Sequence, residues 1–131
     1  PGTSDAPLTV MQVLTMDGFV VVTTPQNLAA LDATRSINMI KKLNVEVLGV
    51  VENYVGDIFG SGAGRALAAD LELSFLGDIA LRAEYRDDSQ PTVLINTDVA
   101  TEYDNIWAGL KERLTMLEAM PEQIAAAEPD E

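Results

Sequence analysis

The chain has 131 residues, 47% of them apolar, which is enough for one domain with a sizeable core and too apolar for a disordered composition. It contains no Cys and no His, which excludes disulfides, thiolate-held metals or clusters within this chain, and the commonest general base. A net charge of −13 repels nucleic-acid phosphates and anionic membranes, so neither is an expected partner. The acidity reads as a solubility adaptation or as a docking surface for a basic partner.

No apolar run approaches the ~18 residues that cross a bilayer. No basic stretch followed by an apolar segment marks a signal peptide. A cytoplasmic location is therefore expected. The chain starts abruptly at Pro1-Gly2-Thr3 without Met, which leads us to expect a missing upstream segment.

Pro1 to Ala6 reads as a loop. Pro7 to Thr15 places Leu8, Val10, Met11 and Leu14 near helical spacing, with Asp5 as cap and Asp17-Gly18 as stop. Phe19 to Thr24 is β-branched and aromatic throughout and predicts a strand buried on both faces. Leu28 to Leu43 is an amphipathic helix, with Lys41 and Lys42 at its negative end and Asn44 as its stop. Val45 to Val51 predicts a second strand, and Glu52 to Gly64 a glycine-rich loop. Ala63 to Leu71 predicts a short helix, and Leu73 to Ile79 a third strand.

Arg82 to Gln90 reads as a solvated loop or short helix, and Pro91 to Ile95 as a short extended piece. The last helix runs from about Val99 to Met120, capped by Thr97 or Asp98. Its apolar face takes in Tyr103, Ile106, Trp107, Leu110, Leu114 and Leu117, and Tyr103 and Trp107 are expected in the core. Residues 121–131 read as an acidic disordered tail after a domain of residues 1–120. The alternation predicts an α/β fold in three layers, a mostly parallel sheet flanked by helices.

Several segments, in order, resemble the Mrp/ApbC group of ParA/MinD-type P-loop ATPases, whose members carry iron–sulfur clusters. Pro1-Gly2-Thr3-Ser4-Asp5-Ala6 looks like the segment after the family's Walker-B strand. Thr23-Thr24-Pro25-Gln26 matches its TTPQ turn, with Asp32-Ala33 in the helix that follows. Leu48-Gly49-Val50-Val51-Glu52-Asn53 matches its LGVVEN strand end, Ile58-Phe59-Gly60 with Gly62 and Gly64 its IFG-glycine stretch, and Phe75-Leu76-Gly77-Asp78-Ile79 its FLGEIP strand. The resemblance covers residues 1 to about 95 and implies the C-terminal part of such an ATPase.

Two departures stand out. No G-x-x-x-x-G-K-[ST] occurs, so the loop that holds the phosphates and magnesium of ATP is absent from this sequence. The family's C-x-x-C between VVEN and IFG is also absent, since only Tyr54-Val55-Gly56-Asp57 separates Asn53 from Ile58. ATP and Mg are accordingly implied only for an intact parent, and no iron–sulfur cluster is expected in this chain.

The resemblance implies an adenine-contacting role for Asn53, whose amide both donates to and accepts from a base edge. The alternative is a turn-forming Asn. Ala80 and Leu81 match the family segment that flanks the base, although the family's Pro-Leu-Asp is here Ala80-Leu81-Arg82. The alternative is a plain strand exit. Gly2 and Thr3 fall in the family's γ-phosphate switch, where a Gly lets backbone approach phosphate. Asp5 reads as a helix cap rather than a base. Gly60 to Arg65 opens a helix that is able to bind an anion, but reads better as a flexible loop.

The implied function is the C-terminal part of an ATP-binding ATPase that resembles iron–sulfur carriers and is not ATPase-competent alone. Whether the chain is itself an enzyme stays open. The alternative is a non-catalytic α/β interaction or oligomerisation module. A dinucleotide-binding Rossmann domain is disfavoured because no Gly-rich turn directly follows the first strand. Removing a P-loop strand would uncover the flank of Phe19 to Thr24, so self-association or pairing with a missing N-terminal half is expected.

Overall fold

The computed structural model describes residues 5–120. The chain order is α1 (Asp5–Val13), β1 (Phe19–Thr23), α2 (Asn27–Lys42), β2 (Val47–Val55), α3 (Ala63–Asp70), β3 (Phe75–Ala80), a 3-10 turn (Ala83–Arg86), α4 (Thr92–Ile95) and α5 (Thr97–Ala119). The strands pair in the order β1-β2-β3, all parallel. The expectation for residues 121–131 lies outside the described residues.

The sheet is central because its middle strand is apolar on both faces. Val50 joins a core with Val21, Ala33, Ile37, Ile40, Leu67 and Ala68, so α2 and α3 cover one face. Val51 joins Leu76 and Ile79 on the other, where Ile106 and Leu110 of α5 pack. Alternation along the strand dictates this split. The three layers expected from the sequence are thus present. Gly77 of β3 lets α5 sit close, since a Cβ there would stand 2.8 Å from Ile106 Cγ1. The Arg113 guanidinium ties α5 to Glu46 at 2.6 Å.

Several local expectations are corrected. Strand β2 does not stop at Val51 but runs on to Val55, with Glu52 opposite both Thr23 and Asp78. Its polar end stays in the sheet because the Glu52 side chain finds buried partners, described below. The flank of β1 is not buried on both faces: Val22 is 58% exposed, since α5 packs on β3 and β2 and leaves that side of β1 open. The cap of α5 is Asn96, whose side chain accepts from the Asp98 and Val99 amides, rather than Thr97 or Asp98. Residues 92–95 form a helical turn rather than an extended piece.

Tyr103 and Trp107 are not core residues, being 46% and 56% exposed. The helix presents Ile106 and Leu110 to the sheet instead, which turns these two rings toward its flank. Asn44 does end α2, in a left-handed conformation at φ 54°.

A candidate nucleotide cleft at the strand ends

Strands β2 and β3 end side by side, and the loops that leave them open a cleft of about 720 Å³. In open parallel sheets this is where ligands bind. Asn53 and Leu81, both expected at a base site, line it together. The Leu81 amide donates to the Val55 carbonyl at 2.9 Å, which holds the two strand ends at fixed separation. Ala80 begins the segment that forms this wall without itself lining the cleft, and its amide donates to Glu102 Oε1 at 3.4 Å. Gly2 and Thr3 lie outside the described residues.

Asn53 is oriented by its own neighbour. Tyr54 has a left-handed backbone at φ 61°, and its amide donates to Asn53 Oδ1 at 2.9 Å. That bond fixes the side-chain amide and leaves Nδ2 to donate elsewhere, while Oδ1 keeps a second lone pair.

All three tyrosines of the chain, Tyr54, Tyr85 and Tyr103, line this cleft. They come from the end of β2, the 3-10 turn and α5, and nothing in their sequence spacing brings them together. Ile79 forms the buried floor. The cleft is therefore built from π faces, aliphatic surface and one oriented amide, a set suited to a flat heteroaromatic ring.

Arg82, read from sequence as part of a solvated stretch, is not solvated. Its guanidinium makes a fork to Glu102 of α5, at 2.7 Å to Oε2 and 2.8 Å to Oε1, with the two side chains only 19% and 18% exposed. The Glu102 hydrogen bond raises the Arg82 pKa beyond its already high value. Burial pushes the Tyr85 phenol above its ordinary 10.0, the nearby Tyr103 and Glu102 add to this, and Arg82 opposes it. Arg86, also on the cleft, makes no ion pair among the described residues.

The glycine loop between β2 and α3 is tied by hydrogen bonds at both ends. Gly56 and Gly60 exchange backbone hydrogen bonds at 3.0 and 2.7 Å, closing a small ring. The anion at the start of α3 is internal. Glu52, 1% exposed, accepts from the Gly62 amide at 2.9 Å and from the Gly64 amide at 2.5 Å. The Gly62 and Gly64 amides are thus taken. The sequence reading missed Glu52, Glu102 and the tyrosines as site-forming residues. A Glu directly before Asn53 at a strand end, followed by a run of glycines, was the available signal for the first.

Among the described residues, no three His, Cys, Asp or Glu side chains gather as a metal site, and no helix is long and apolar enough to cross a membrane. The iron–sulfur cluster carrier protein of Methanocaldococcus jannaschii is 37% identical over 128 residues, covering 87% of this chain and 44% of the relative. The iron–sulfur cluster transfer protein NUBPL of Mus musculus is 37% identical over 129 residues, covering 87% of this chain and 40% of the relative. The cytosolic Fe-S cluster assembly factor CFD1 of Candida albicans is 37% identical over 99 residues, covering 65% and 34%. The chain thus spans less than half the length of these relatives. The ParA family described as NUBPL iron-transfer P-loop NTPase matches residues 1–114, and the chain belongs to this family.

Proposed function

We propose that this chain is the base-recognition part of a cytoplasmic ATP-dependent iron–sulfur carrier and binds adenine nucleotide without hydrolysing it alone. The observation that carries this is the convergence of Asn53, Leu81 and the three tyrosines on one cleft at the strand ends. The adenine ring fits the residues present: Asn53 offers a donor and an acceptor, and Leu81 and the tyrosines offer flat and apolar walls. The glycine loop is not a free phosphate cradle, because its Gly62 and Gly64 amides already serve Glu52. Hydrolysis needs the G-x-x-x-x-G-K-[ST] loop, which this sequence lacks. Cluster ligation by thiolates would likewise come from outside this chain, which has no Cys.

The test is calorimetric titration with ATP and ADP, with and without Mg²⁺. The expected result is binding that Asn53→Ala weakens and Mg²⁺ barely alters. No heat at millimolar nucleotide would overturn the base-recognition reading.

A second reading, an interaction module, is favoured by one observation. Strand β1 is the sheet edge, uncharged and with Val22 largely exposed, so its outer backbone groups are unpaired by any strand among the described residues. Either an N-terminal half or a second copy of the chain would cover it. Light scattering over a dilution series distinguishes a self-paired chain from a monomer.

A further inference from the structure

We propose that Glu102 is a positioning residue for the cleft, holding the Ala80–Arg86 wall in place from helix α5. The inference rests on the base-recognition reading for its meaning and on independent geometry for its substance.

The wall is a short segment leaving the edge strand β3, and it has little of its own to fix it. None of Ala83, Glu84, Tyr85 and Arg86 is buried. Beside the Leu81–Val55 backbone bond and a bond from Asn96 Nδ2 to Glu84 Oε1 at 3.3 Å, one carboxylate makes the strongest tie. Glu102 accepts both arms of the Arg82 fork and also the Ala80 amide, so two points of the wall are tied to one side chain. A guanidinium fork admits one plane only, so the pair fixes direction as well as distance. Arg82 and Tyr85 both line the cleft, so the tie holds the segment that carries this ring.

The anchor is rigid in its turn. Helix α5 is capped by Asn96 and seated on β3 through Ile106 against Gly77. Glu102 lies one helical turn before Ile106, on the sheet-facing side.

The titratable and charged groups around Glu102 are Arg82, Tyr85 and Tyr103 on the cleft side, with Arg65 and Asp78 lining the neighbouring cavity. Only Arg82 bonds to it through charge. Removing the Glu102 carboxylate therefore frees Arg82 and leaves no substitute anion within the pair.

The experiment uses the full chain with Glu102→Ala, Glu102→Gln and the unchanged protein. Amide hydrogen exchange across residues 80–86 is followed beside that of β1 and β2. ADP affinity is measured in parallel without Mg²⁺. The expected result is faster exchange confined to residues 80–86 in Glu102→Ala. ADP affinity falls on the order of tenfold, the size of one lost charge-assisted hydrogen bond. Glu102→Gln, which keeps an acceptor for Ala80, lies between. Unchanged exchange at residues 80–86 in Glu102→Ala overturns the proposal, whatever the nucleotide does. So does faster exchange spread through β1 and β2, which marks general loosening. Absence of ADP binding in the unchanged protein overturns the base-recognition reading and leaves the exchange result to decide the role of Glu102.

Discussion

The Glu52 carboxylate and the Gly64 amide meet at 2.5 Å inside the molecule, with Glu52 1% exposed. The contact joins strand β2 to the first turn of α3. Its second oxygen takes the Gly62 amide, so one buried anion satisfies two orphan donors at a helix start and faces the positive end of its dipole.

Glu52→Gln should therefore destabilise the chain although it is nearly isosteric. A glutamine has one acceptor oxygen, and its NH₂ would confront a backbone N–H. The expected loss is about 2–3 kcal/mol, the scale of a buried charge-assisted bond left unmade. Urea unfolding monitored by circular dichroism measures it. A shift within a few tenths of a kcal/mol would sink the capping assignment.

Gly64→Ala should be costly for a different reason. The added Cβ would lie 2.8 Å from Glu52 Cβ and 2.9 Å from its Oε2, both buried. Overpacking of this kind costs about 1–3 kcal/mol. The same substitution at Gly60 meets no atom within 4 Å, and its penalty comes from φ 83° alone. Comparing the two midpoints separates crowding from backbone strain.

Tyr103→Ala should weaken adenine-nucleotide binding by about 1–3 kcal/mol if its ring stacks on the base, and Tyr103→Phe should retain most of the affinity. Fluorescence or calorimetric titration decides. Equal losses in both variants would move the contribution from the ring face to the hydroxyl.

Tyr85 gives a signed pH dependence. Its phenol is raised above 10.0 in the fold by burial first, so the folded chain holds the proton longer than the unfolded one. Its contribution to stability is constant below pH 10.0 and declines as pH rises past that value, because the unfolded state ionises first. Denaturant midpoints between neutral and strongly alkaline pH should fall less steeply in Tyr85→Phe. Identical slopes would show that Tyr85 is unperturbed by its surroundings.

Val22→Lys tests the open edge. The side chain is 58% exposed, so the change should alter stability by no more than about 0.5 kcal/mol. A charge on an edge strand opposes pairing, so any self-associated form should shift toward monomer in light scattering. A wild-type chain that is monomeric at every concentration would remove self-pairing as the way this edge is covered.

The layer order, the three parallel strands and the helices between them were legible because apolar runs and helical periods are local patterns. Asn53 and Leu81 were legible because short motifs carried them, and the structure brings both to one cleft. The boundary of β2 was not. Polar Glu52 and Asn53 look like a loop until partners are found for them: those of Glu52 lie in the glycine segment beyond the Gly56–Gly60 ring, and that of Asn53 is the Tyr54 amide. Tyr103 and Trp107 were misplaced for a related reason. Periodicity gives a helix an apolar stripe, but which part of that stripe meets the sheet depends on the angle at which the helix lands.

By itself, the sequence determined the fold class, the absence of thiolate and imidazole chemistry in this chain, and the family segments that mark the strand ends. Only the tertiary structure decided that three scattered tyrosines share one cleft, that Arg82 is held by Glu102 from a distant helix, and that Glu52 fills the anion position of the glycine loop. The physical reason is range. Propensity and periodicity act between neighbours in the chain, whereas a cleft or a buried charge pair exists only once sheet and helices have been packed.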